Sequence, residues 1–162
     1  MMTQREFPNW EALYQEQAVE TMPWFNPSLD PDVEEALLNL ELSNGSVLDL
    51  GTGPGTQAIA LAERGFQVMA TDLSEAAIRQ AAAKANQKGL EISFRQDDIL
   101  NSRLEQSFDL ILDRGCFHVL PPQSYGTYVQ TAANLLKPKR YLLLKCFSQE
   151  ETSNTSDKIR QQ

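Results

Sequence analysis

Short apolar segments alternate with helical patterns along most of the chain. Residues 47–50, 66–71, 90–95, 108–112 and 141–147 form apolar runs of four to seven residues, the usual length of buried strands. Helices or long crossovers separate these runs. Strands joined in this way run parallel and are covered on both faces, so the sequence predicts a doubly wound α/β fold with a mainly parallel sheet of five strands.

Capping residues predict where the intervening helices begin and end. Asp30 followed by Pro31 is typical of a helix N-terminus, and Ser74 is typical of the N-cap of the alanine-rich helix that precedes Gly89. The full set of predicted helices covers residues 10–20, 31–43, 56–64, 75–88 and 121–136.

Composition is that of a single globular domain. The 162 residues are 41% hydrophobic and 22% charged, which is ordinary usage. No apolar run reaches the roughly 18 residues of a membrane span, and the polar first dozen residues do not predict a signal peptide. Cys116 and Cys146 do not form the pattern of a disulfide framework, so we expect a reducing, cytoplasmic location.

The formal net charge of −8 is unevenly distributed. The first fifty residues carry one basic residue, Arg5, and ten acidic residues. This segment repels a phosphate backbone, so we expect no nucleic-acid partner and no membrane partner. An acidic segment tolerates a cationic ligand, and simple solubility explains the charge equally well.

A glycine-rich loop, Asp49 to Thr56, joins the first strand to its helix and is the densest chemical signal. Asp72 follows Gly55 by 17 residues, at the end of the second strand, where it can accept both hydroxyls of a ribose. The nicotinamide fingerprint requires glycine at the sixth place, which here is Thr56, and Pro54 removes an amide donor. Asp49 is better matched to a ligand with an ammonium group than to a pyrophosphate.

Four segments resemble the motifs of class I S-adenosylmethionine-dependent methyltransferases. Residues 47–55 are similar to the first motif, residues 72–74 to the ribose-binding strand end, and residues 97–99 to the third motif. Residues 108–115 resemble the fourth-strand motif of the branch that contains thiopurine, thiol and tellurite methyltransferases. The four motifs occur in the family's order and spacing, and the resemblance extends over residues 10–147.

The resemblance implies S-adenosylmethionine as the cofactor and assigns a role to each motif. The glycine loop would hold the methionine part, Asp72 the ribose, and Asp98 with Ile99 the adenine. An N-terminal helical lid, residues 1–43, would cover the cofactor, although packing on the core explains its aromatic residues equally well. The implied cofactor residues are Trp24, Asp49, Gly51, Thr52, Gly53, Thr56, Asp72, Leu73, Asp98, Ile99 and Asp113.

Arg114 and His118 are the candidate catalytic residues, because they follow the fourth strand on the acceptor side. Arg114 could bind an anionic group through its planar fork, or form a salt bridge to Asp113 or Asp109. His118 could act as a base, but a lone histidine among apolar neighbours is more often a packed core residue. Cys116 is expected to be a small buried hydrophobe. One histidine and two separated cysteines do not predict a metal site.

Two features depart from the family pattern. Residues 137–140 read Lys-Pro-Lys-Arg where the family has Lys-Pro-Gly-Gly, which we expect to alter only a turn. The family's final antiparallel hairpin is missing, because the domain at residues 1–147 is followed only by a polar tail at 148–162. We therefore expect either a truncated chain or a homodimer that covers the edge of the last strand.

The leading hypothesis is methyl transfer from S-adenosylmethionine to a small-molecule acceptor, with sulfur considered first as the acceptor atom. Displacement at a sulfonium methyl needs no dedicated base when the acceptor is already a strong nucleophile. One alternative is a truncated or non-catalytic S-adenosylmethionine-binding protein. A nucleotide-dependent oxidoreductase is the second alternative, and the glycine loop argues against it.

Overall fold

The computed structural model describes residues 9–18 and 27–146, and its five strands form one sheet in which every neighbouring pair is parallel. The spatial order is β3-β2-β1-β4-β5. The strands are β1 (Ser46–Leu50), β2 (Gln67–Asp72), β3 (Ser93–Gln96), β4 (Phe108–Asp113) and β5 (Leu136–Leu144). The helices are α1 (Trp10–Glu16), α2 (Pro31–Asn39), α3 (Thr56–Glu63), α4 (Glu75–Gln87) and α5 (Tyr125–Leu135). The predicted α/β fold is confirmed.

Two apolar clusters cover the two faces of the sheet. On one face, Leu61 of α3 packs with Val47 and Leu110 of the central strands, and α2 adds its own apolar residues to this cluster. On the other face, Leu48 belongs to a cluster that includes residues of α5 such as Tyr128. Because successive strand residues point to opposite faces, both Val47 and Leu48 are fully buried. This two-sided burial explains why the strands are continuously apolar rather than alternating.

Strand register aligns the carboxyl ends of the strands at one edge of the sheet. Leu50 of β1 lies opposite Thr71 of β2 and opposite Asp113 of β4. Asp72 in turn lies opposite Gln96 of β3. The loops that follow β1, β2, β3 and β4 therefore meet above the same edge, which is where ligands bind in open parallel sheets.

The predicted helix N-termini are confirmed by their capping hydrogen bonds. Asp30 accepts a hydrogen bond from the backbone N–H of Asp32 at 2.9 Å, at the start of α2. Ser74 accepts one from the backbone N–H of Ala77 at 3.1 Å, at the start of α4. Each cap satisfies a donor that the first helical turn leaves unpaired. Helix α2 packs one face on the core, with Val33 and Leu37 buried, so this part of the predicted N-terminal segment contributes to the core.

Strand β5 differs from the prediction at its start. The strand begins at Leu136, not at Tyr141, and Leu136 is outside the helix to which its apolar spacing had assigned it. Phe108 pairs with Leu136 and Leu110 pairs with Tyr141, so two steps along β4 correspond to five along β5. Residues 137–140 therefore stand where β4 has only Asp109, which makes a bulge, and Lys139 adopts a left-handed conformation with φ +59°.

The first three residues of the strand predicted over 90–95 lie outside β3. The strand starts at Ser93 rather than at residue 90, because the backbone N–H of Leu90 still caps helix α4 by bonding to the carbonyl of Ala85 at 3.0 Å. The sequence indicated an apolar run, but its first residues complete the end of the helix.

Asp109 joins the amino ends of β1, β4 and β5. Its Oδ2 accepts hydrogen bonds from the backbone N–H and the hydroxyl of Ser46 at 2.9 and 3.1 Å. Lys137 and Arg140, both in the bulge, lie 3.3 and 3.2 Å from its oxygens. The hydrogen bonds from Ser46 and the ammonium group of Lys137 hold the pKa of this carboxyl below its usual value. The bulge is therefore fixed to the neighbouring strands by charge.

Some sequence predictions fall outside the described residues. Trp24 and Phe25 of the predicted lid belong to this group, as do Phe147 and the polar tail at 148–162. Within residues 9–18 and 27–146, no helix is both long enough and apolar enough to cross a membrane.

Gly55 provides a stability test of the contact between α3 and α4. It has φ +80°, and a Cβ built there would lie 2.7 Å from Cβ of Ala81. Gly89 has φ +68° but open space around a Cβ. We expect Gly89→Ala to cost about 1 kcal/mol from backbone strain, and Gly55→Ala to cost about 1–3 kcal/mol more from the clash. Urea unfolding of both variants measures this difference, and equal losses would show that the contact is not tight.

Candidate active site at the carboxyl edge of the sheet

The glycine loop between β1 and α3 has the backbone that its sequence requires. Gly51, Gly53 and Gly55 have φ values of +64°, +53° and +80°, which side chains rarely allow. The backbone N–H of Thr52 bonds to the carbonyl of Thr71 at 2.9 Å, so the loop is tied to the end of β2. The loop therefore brings bare main chain to the edge where the other strands end.

Asp72 holds this loop in place from the end of β2. Its Oδ2 accepts a hydrogen bond from the backbone N–H of Gly53 and its Oδ1 accepts one from the N–H of Ser74, both at 2.9 Å. Burial raises the pKa of Asp72, while these hydrogen bonds oppose the shift. Each carboxylate oxygen has two lone pairs, so Asp72 keeps the capacity to accept hydroxyl donors from a ligand.

Asp49 is a buried carboxyl with little to stabilise its charge. The one hydrogen bond found for it among the described residues comes from the hydroxyl of Thr52, at 2.8 Å from Oδ2. Burial is the largest cause that raises its pKa to about 7, and the nearby charges of Asp113 and Asp72 add to the effect. A cationic group bound here would favour the ionised carboxylate. The arrangement therefore suits a positively charged ligand.

The two aspartates after β3 have different surroundings. Asp97 accepts hydrogen bonds through both oxygens, from the hydroxyl of Ser102 at 2.6 Å and the backbone N–H of Arg103 at 2.9 Å. Asp98 uses Oδ1 for the backbone N–H of Leu100, also at 2.9 Å. Asp97 is thus engaged in shaping its own loop. This difference is consistent with the choice of Asp98 as the candidate ligand.

Two apolar candidates flank these carboxylates, with opposite exposure. Leu73, which follows β2, is 53% exposed, whereas Ile99, which follows Asp98, is buried. Thr56, the last residue of the glycine loop, is also the first residue of α3 and is half-buried. An exposed leucine at the end of a strand offers an apolar surface to a ligand in the cleft.

Asp113, at the end of β4, is fully buried and faces the loop that follows it. Its carboxylate accepts hydrogen bonds from the backbone N–H groups of Gly115, Cys116 and Phe117 and from the hydroxyl of Tyr128. These donors surround the group, so the carboxylate itself does not reach the cleft. Asp113 was expected to contact the cofactor, and in the structure it instead shapes the loop beside the cofactor site.

Arg114 pairs with an aspartate that the sequence did not indicate. Its Nε lies 2.9 Å from Oδ2 of Asp30, so the expected alternatives, a salt bridge to Asp113 or to Asp109, are both wrong. Arg114 remains partly exposed beside the loop after β4. Arg114 follows β4, on the side where the sequence predicts the acceptor, and the N-cap residue of α2 holds its side chain.

His118 and Cys116 lie on the same loop and are both half-buried. His118 stands in a short 3-10 turn, and its Cε1 would lie 3.7 Å from a Cβ placed on Gly115. Cβ of Cys116 would lie 3.5 Å from a Cβ placed on Gly51. Burial raises the pKa of the Cys116 thiol, which keeps it protonated. Cys116 therefore behaves as the apolar packing residue that the sequence predicted, and it lies beside Gly51 of the glycine loop.

A charged cluster around Asp30 was missed by the sequence analysis. Besides Arg114, the buried carboxylate of Asp30 binds the ammonium of Lys145, with Nζ 2.9 Å from Oδ2. Lys145 also lies 2.7 Å from Asp32, and the backbone N–H of Asp30 donates to the side-chain carbonyl of Gln57 at 2.8 Å. The sequence indicated the N-cap but gave no sign of these partners.

Helix α1 also reaches the site. The hydroxyl of Tyr14 would lie only 2.6 Å from a Cβ placed on Gly53, so it lies directly against the glycine loop. Glu11 fixes the helix to the start of α4 by accepting hydrogen bonds from the hydroxyl of Ser74 at 2.7 Å and the backbone N–H of Ala76 at 3.1 Å. The pattern that predicts a helix over residues 10–20 does not indicate this position of Tyr14.

A methyltransferase-domain family model matches residues 47–139. This range contains the glycine loop and the aspartates Asp72, Asp98 and Asp113. An uncharacterized methyltransferase of Schizosaccharomyces pombe is 32% identical over 120 residues, covering 72% of this chain and 81% of that protein. The chain belongs to the S-adenosylmethionine-dependent methyltransferases.

Two characterised relatives of this methyltransferase are more distant. Thiocyanate methyltransferase 1 of Arabidopsis thaliana is 29% identical, and the match covers 83% of this chain and 59% of that protein. The 2-heptyl-1-hydroxyquinolin-4(1H)-one methyltransferase of Mycobacteroides abscessus is also 29% identical, covering 88% of this chain and 66% of that protein.

Solved structures share the fold. The structure reported for conversion of a disulfide bond into a thioacetal group during echinomycin biosynthesis matches with a TM-score of 0.81 and 27% identity. That match covers 94% of this chain and 64% of the solved chain. A putative S-adenosylmethionine-dependent methyltransferase from Methanococcus maripaludis matches with a TM-score of 0.63 and 26% identity over 80% of this chain and 62% of that chain. The chain thus spans less than two thirds of either solved chain.

The residues at the sheet edge fit the chemistry of S-adenosylmethionine. Asp49 is a buried acid that forms no salt bridge among the described residues. It therefore suits a ligand that carries an ammonium and a sulfonium group. Asp72 and Asp98 are carboxylates with spare acceptor capacity for ribose hydroxyls and the adenine amino group. The positive-φ glycines allow close approach to the main chain. These carboxylates and the glycine loop are therefore chemically suited to the family's cofactor.

Asp72 can be tested against its neighbour Asp97. We expect Asp72→Ala to weaken S-adenosylmethionine binding by about 1–3 kcal/mol, because it removes ribose acceptors and releases Gly53. Asp97→Ala, the matched control, removes a carboxylate that serves only its own loop among the described residues. Calorimetric titration of both variants measures the difference. Equal affinities in the two variants would remove Asp72 from the binding site.

Asp49 makes a pH-dependent prediction. Its raised pKa means that the free protein loses stability as pH rises from about 4 to 7, since the buried group must then ionise. A cationic ligand reverses this penalty, so S-adenosylmethionine affinity should fall by up to about tenfold per pH unit below about pH 7. Titrations between pH 5.5 and 7.5 should show this slope in the wild type and a flatter one in Asp49→Asn. The same slope in both proteins would contradict the assignment.

Proposed function

We propose that this methyltransferase transfers the methyl group of S-adenosylmethionine to the sulfur of a small-molecule acceptor. When bound, the cofactor supplies an electrophilic methyl group on a sulfonium centre. Asp49 and the glycine loop would hold the methionine part, Asp72 the ribose, and Asp98 with Ile99 the adenine. The loop after β4 would form the acceptor side.

The observation that carries this proposal is that the loop after β4 carries the cation Arg114 but few groups that could accept a proton from the acceptor. Asp113 is surrounded by donors, and the Cys116 thiol stays protonated. His118 is the one histidine of the described loop, and it is half-buried. An acceptor that ionises by itself, such as a thiol, suits this loop better than an alcohol, which needs a strong base.

Arg114 provides the positive charge for such an acceptor. Asp30 holds the guanidinium through Nε at 2.9 Å, and no hydrogen bond to its terminal nitrogens is found among the described residues. These nitrogens can stabilise a thiolate in the ground state and orient its sulfur. Arg114 is thereby the proposed acceptor-binding residue, and His118 is the proposed assisting base for acceptors that arrive protonated.

The relatives support a small acceptor of this kind. One acts, by its name, on thiocyanate, and another solved relative was studied for the conversion of a disulfide into a thioacetal. Membership of the thiol branch suggested by residues 108–115 is part of this proposal. A relative named for a hydroxyquinolone indicates that oxygen acceptors also occur among similar proteins, so the test includes one.

Three further expectations stay predictions. A cytoplasmic location rests on the two cysteines, of which Cys116 is half-buried and Cys146 exposed, and both are free. The absence of a nucleic-acid partner rests on the acidic N-terminal fifty residues. A homodimer across β5 rests on the edge position of that strand and on the exposure of Tyr141 and Leu144.

A matched pair of acceptors tests the sulfur assignment. Methyl transfer from labelled S-adenosylmethionine would be measured with thiophenol and with phenol, which differ only in the acceptor atom. We expect saturable methylation of thiophenol and a rate on phenol that is about 100-fold lower or less, because the thiolate forms without a strong base. Arg114→Lys should raise KM for thiophenol, since a point charge replaces a planar fork, and should leave affinity for S-adenosylhomocysteine unchanged.

The alternatives give different results. Equal or faster methylation of phenol would overturn the sulfur assignment. Tight binding of S-adenosylhomocysteine without methylation of any thiol would favour the non-catalytic binding protein.

A further inference from the structure

Tyr128 connects the core of the protein to the loop after β4. It lies on α5 with 1% of its surface exposed, in the apolar cluster beneath the sheet. Its hydroxyl donates a hydrogen bond to Oδ2 of Asp113 at 2.6 Å. Both groups are fully enclosed, so water cannot replace this bond without opening the core.

The carboxylate that receives this bond also shapes the loop. Oδ1 of Asp113 accepts hydrogen bonds from the backbone N–H groups of Gly115 at 3.1 Å and Cys116 at 2.8 Å. Oδ2, the oxygen bonded to Tyr128, accepts one from Phe117 at 3.0 Å. The hydroxyl of Tyr128 therefore orients the carboxylate around which three consecutive amides turn.

The ring of Tyr128 supports the same loop from below. Its centroid lies 4.9 Å from that of Phe117, in a tilted arrangement. Phe117 also stacks on Tyr125 at 4.5 Å. The aromatic contacts fix the end of the loop, and the hydroxyl of Tyr128 fixes its start. Only the hydroxyl acts through Asp113.

The loop held in this way lies beside the glycine loop. Cβ of Cys116 would be 3.5 Å from a Cβ on Gly51, so a displacement of Cys116 changes the gap between the two loops. In the proposed function, one loop holds the methyl donor and the other faces the acceptor. Methyl transfer depends on that separation, since misplacement by about 1 Å can lower a rate about 100-fold.

We propose that Tyr128 is a positioning residue for methyl transfer: through Asp113, its hydroxyl sets the separation between the glycine loop and the loop after β4. This inference rests on the proposed function for its catalytic consequence. Its structural part concerns only the bound methyl group and the loop amides, which can be observed without an acceptor.

The test compares Tyr128→Phe with Tyr125→Phe. Both variants remove one hydroxyl from α5 and keep a ring against Phe117, but no hydrogen bond of the Tyr125 hydroxyl is found among the described residues. Each protein would be saturated with S-adenosylmethionine labelled with ¹³C in its methyl group. We expect Tyr128→Phe to move the bound methyl resonance and to speed amide exchange of Cys116 about tenfold or more. Tyr125→Phe should match the wild type in both measurements.

Binding and turnover complete the comparison. Affinity of Tyr128→Phe for S-adenosylhomocysteine should stay within about threefold of the wild type, while kcat with thiophenol falls about tenfold or more. A wild type that methylates no thiol would count against the proposed function alone, because the methyl resonance and the amide exchange still decide the positioning role. A methyl resonance and an amide exchange rate equal to those of Tyr125→Phe would overturn the inference.

A second variant covers the case in which Tyr128→Phe does not fold. Asp113→Asn keeps the shape of the side chain and one oxygen for the amides, but its amide nitrogen faces Tyr128 and reverses the bond. We expect the same direction of change in the methyl resonance. An unchanged resonance in this variant would also overturn the inference.

Discussion

Buried and half-buried carboxylates that accept backbone N–H groups determine the shape of the site. Asp72 binds the amide of Gly53, and Asp113 binds the amide of Cys116. Asp98 does the same for Leu100. Each aspartate stands at or just after the end of a parallel strand, so the sheet fixes the position of the carboxylate and the carboxylate fixes the loop. The sheet thereby fixes the loops through hydrogen bonds to charged acceptors, which are stronger than hydrogen bonds to neutral ones.

Asp49 differs from the other aspartates of this edge because its hydrogen bonds do not compensate for its burial. One hydroxyl donor is insufficient to keep the carboxylate ionised, and its pKa rises to about 7. Asp72 and Asp113 each accept two or more hydrogen bonds without a ligand. Asp49 accepts one, and the charge of Arg114 offsets only part of its burial, so a bound cation would stabilise its ionised form further. The carboxyl edge of the sheet thus combines aspartates that stabilise the loops with one, Asp49, that is suited to a cationic cofactor.

Sequence patterns predicted the strands well, because burial on both faces leaves continuous apolar runs that few other elements share. They failed at the start of β5, since Leu136 fits an apolar helix face and an apolar strand equally well. The cations on Asp30 were beyond prediction: Arg114 and Lys145 lie 84 and 115 residues away in sequence. Tyr128 lies within the helix predicted over residues 121–136, but only the packed fold shows that its hydroxyl donates to Asp113.

The bulge in β5 limits how the sheet can grow. Residues 137–140 leave the regular ladder, and Lys137 and Arg140 are turned toward Asp109. A strand approaching this edge would find a regular backbone only along Tyr141–Leu144, a stretch too short for extensive pairing, and would meet lysines and an arginine before it. Charge and irregularity at one end of an edge strand are common protections against uncontrolled addition of further strands. The edge thus admits a short, in-register neighbour and disfavours the long ladders from which aggregates form.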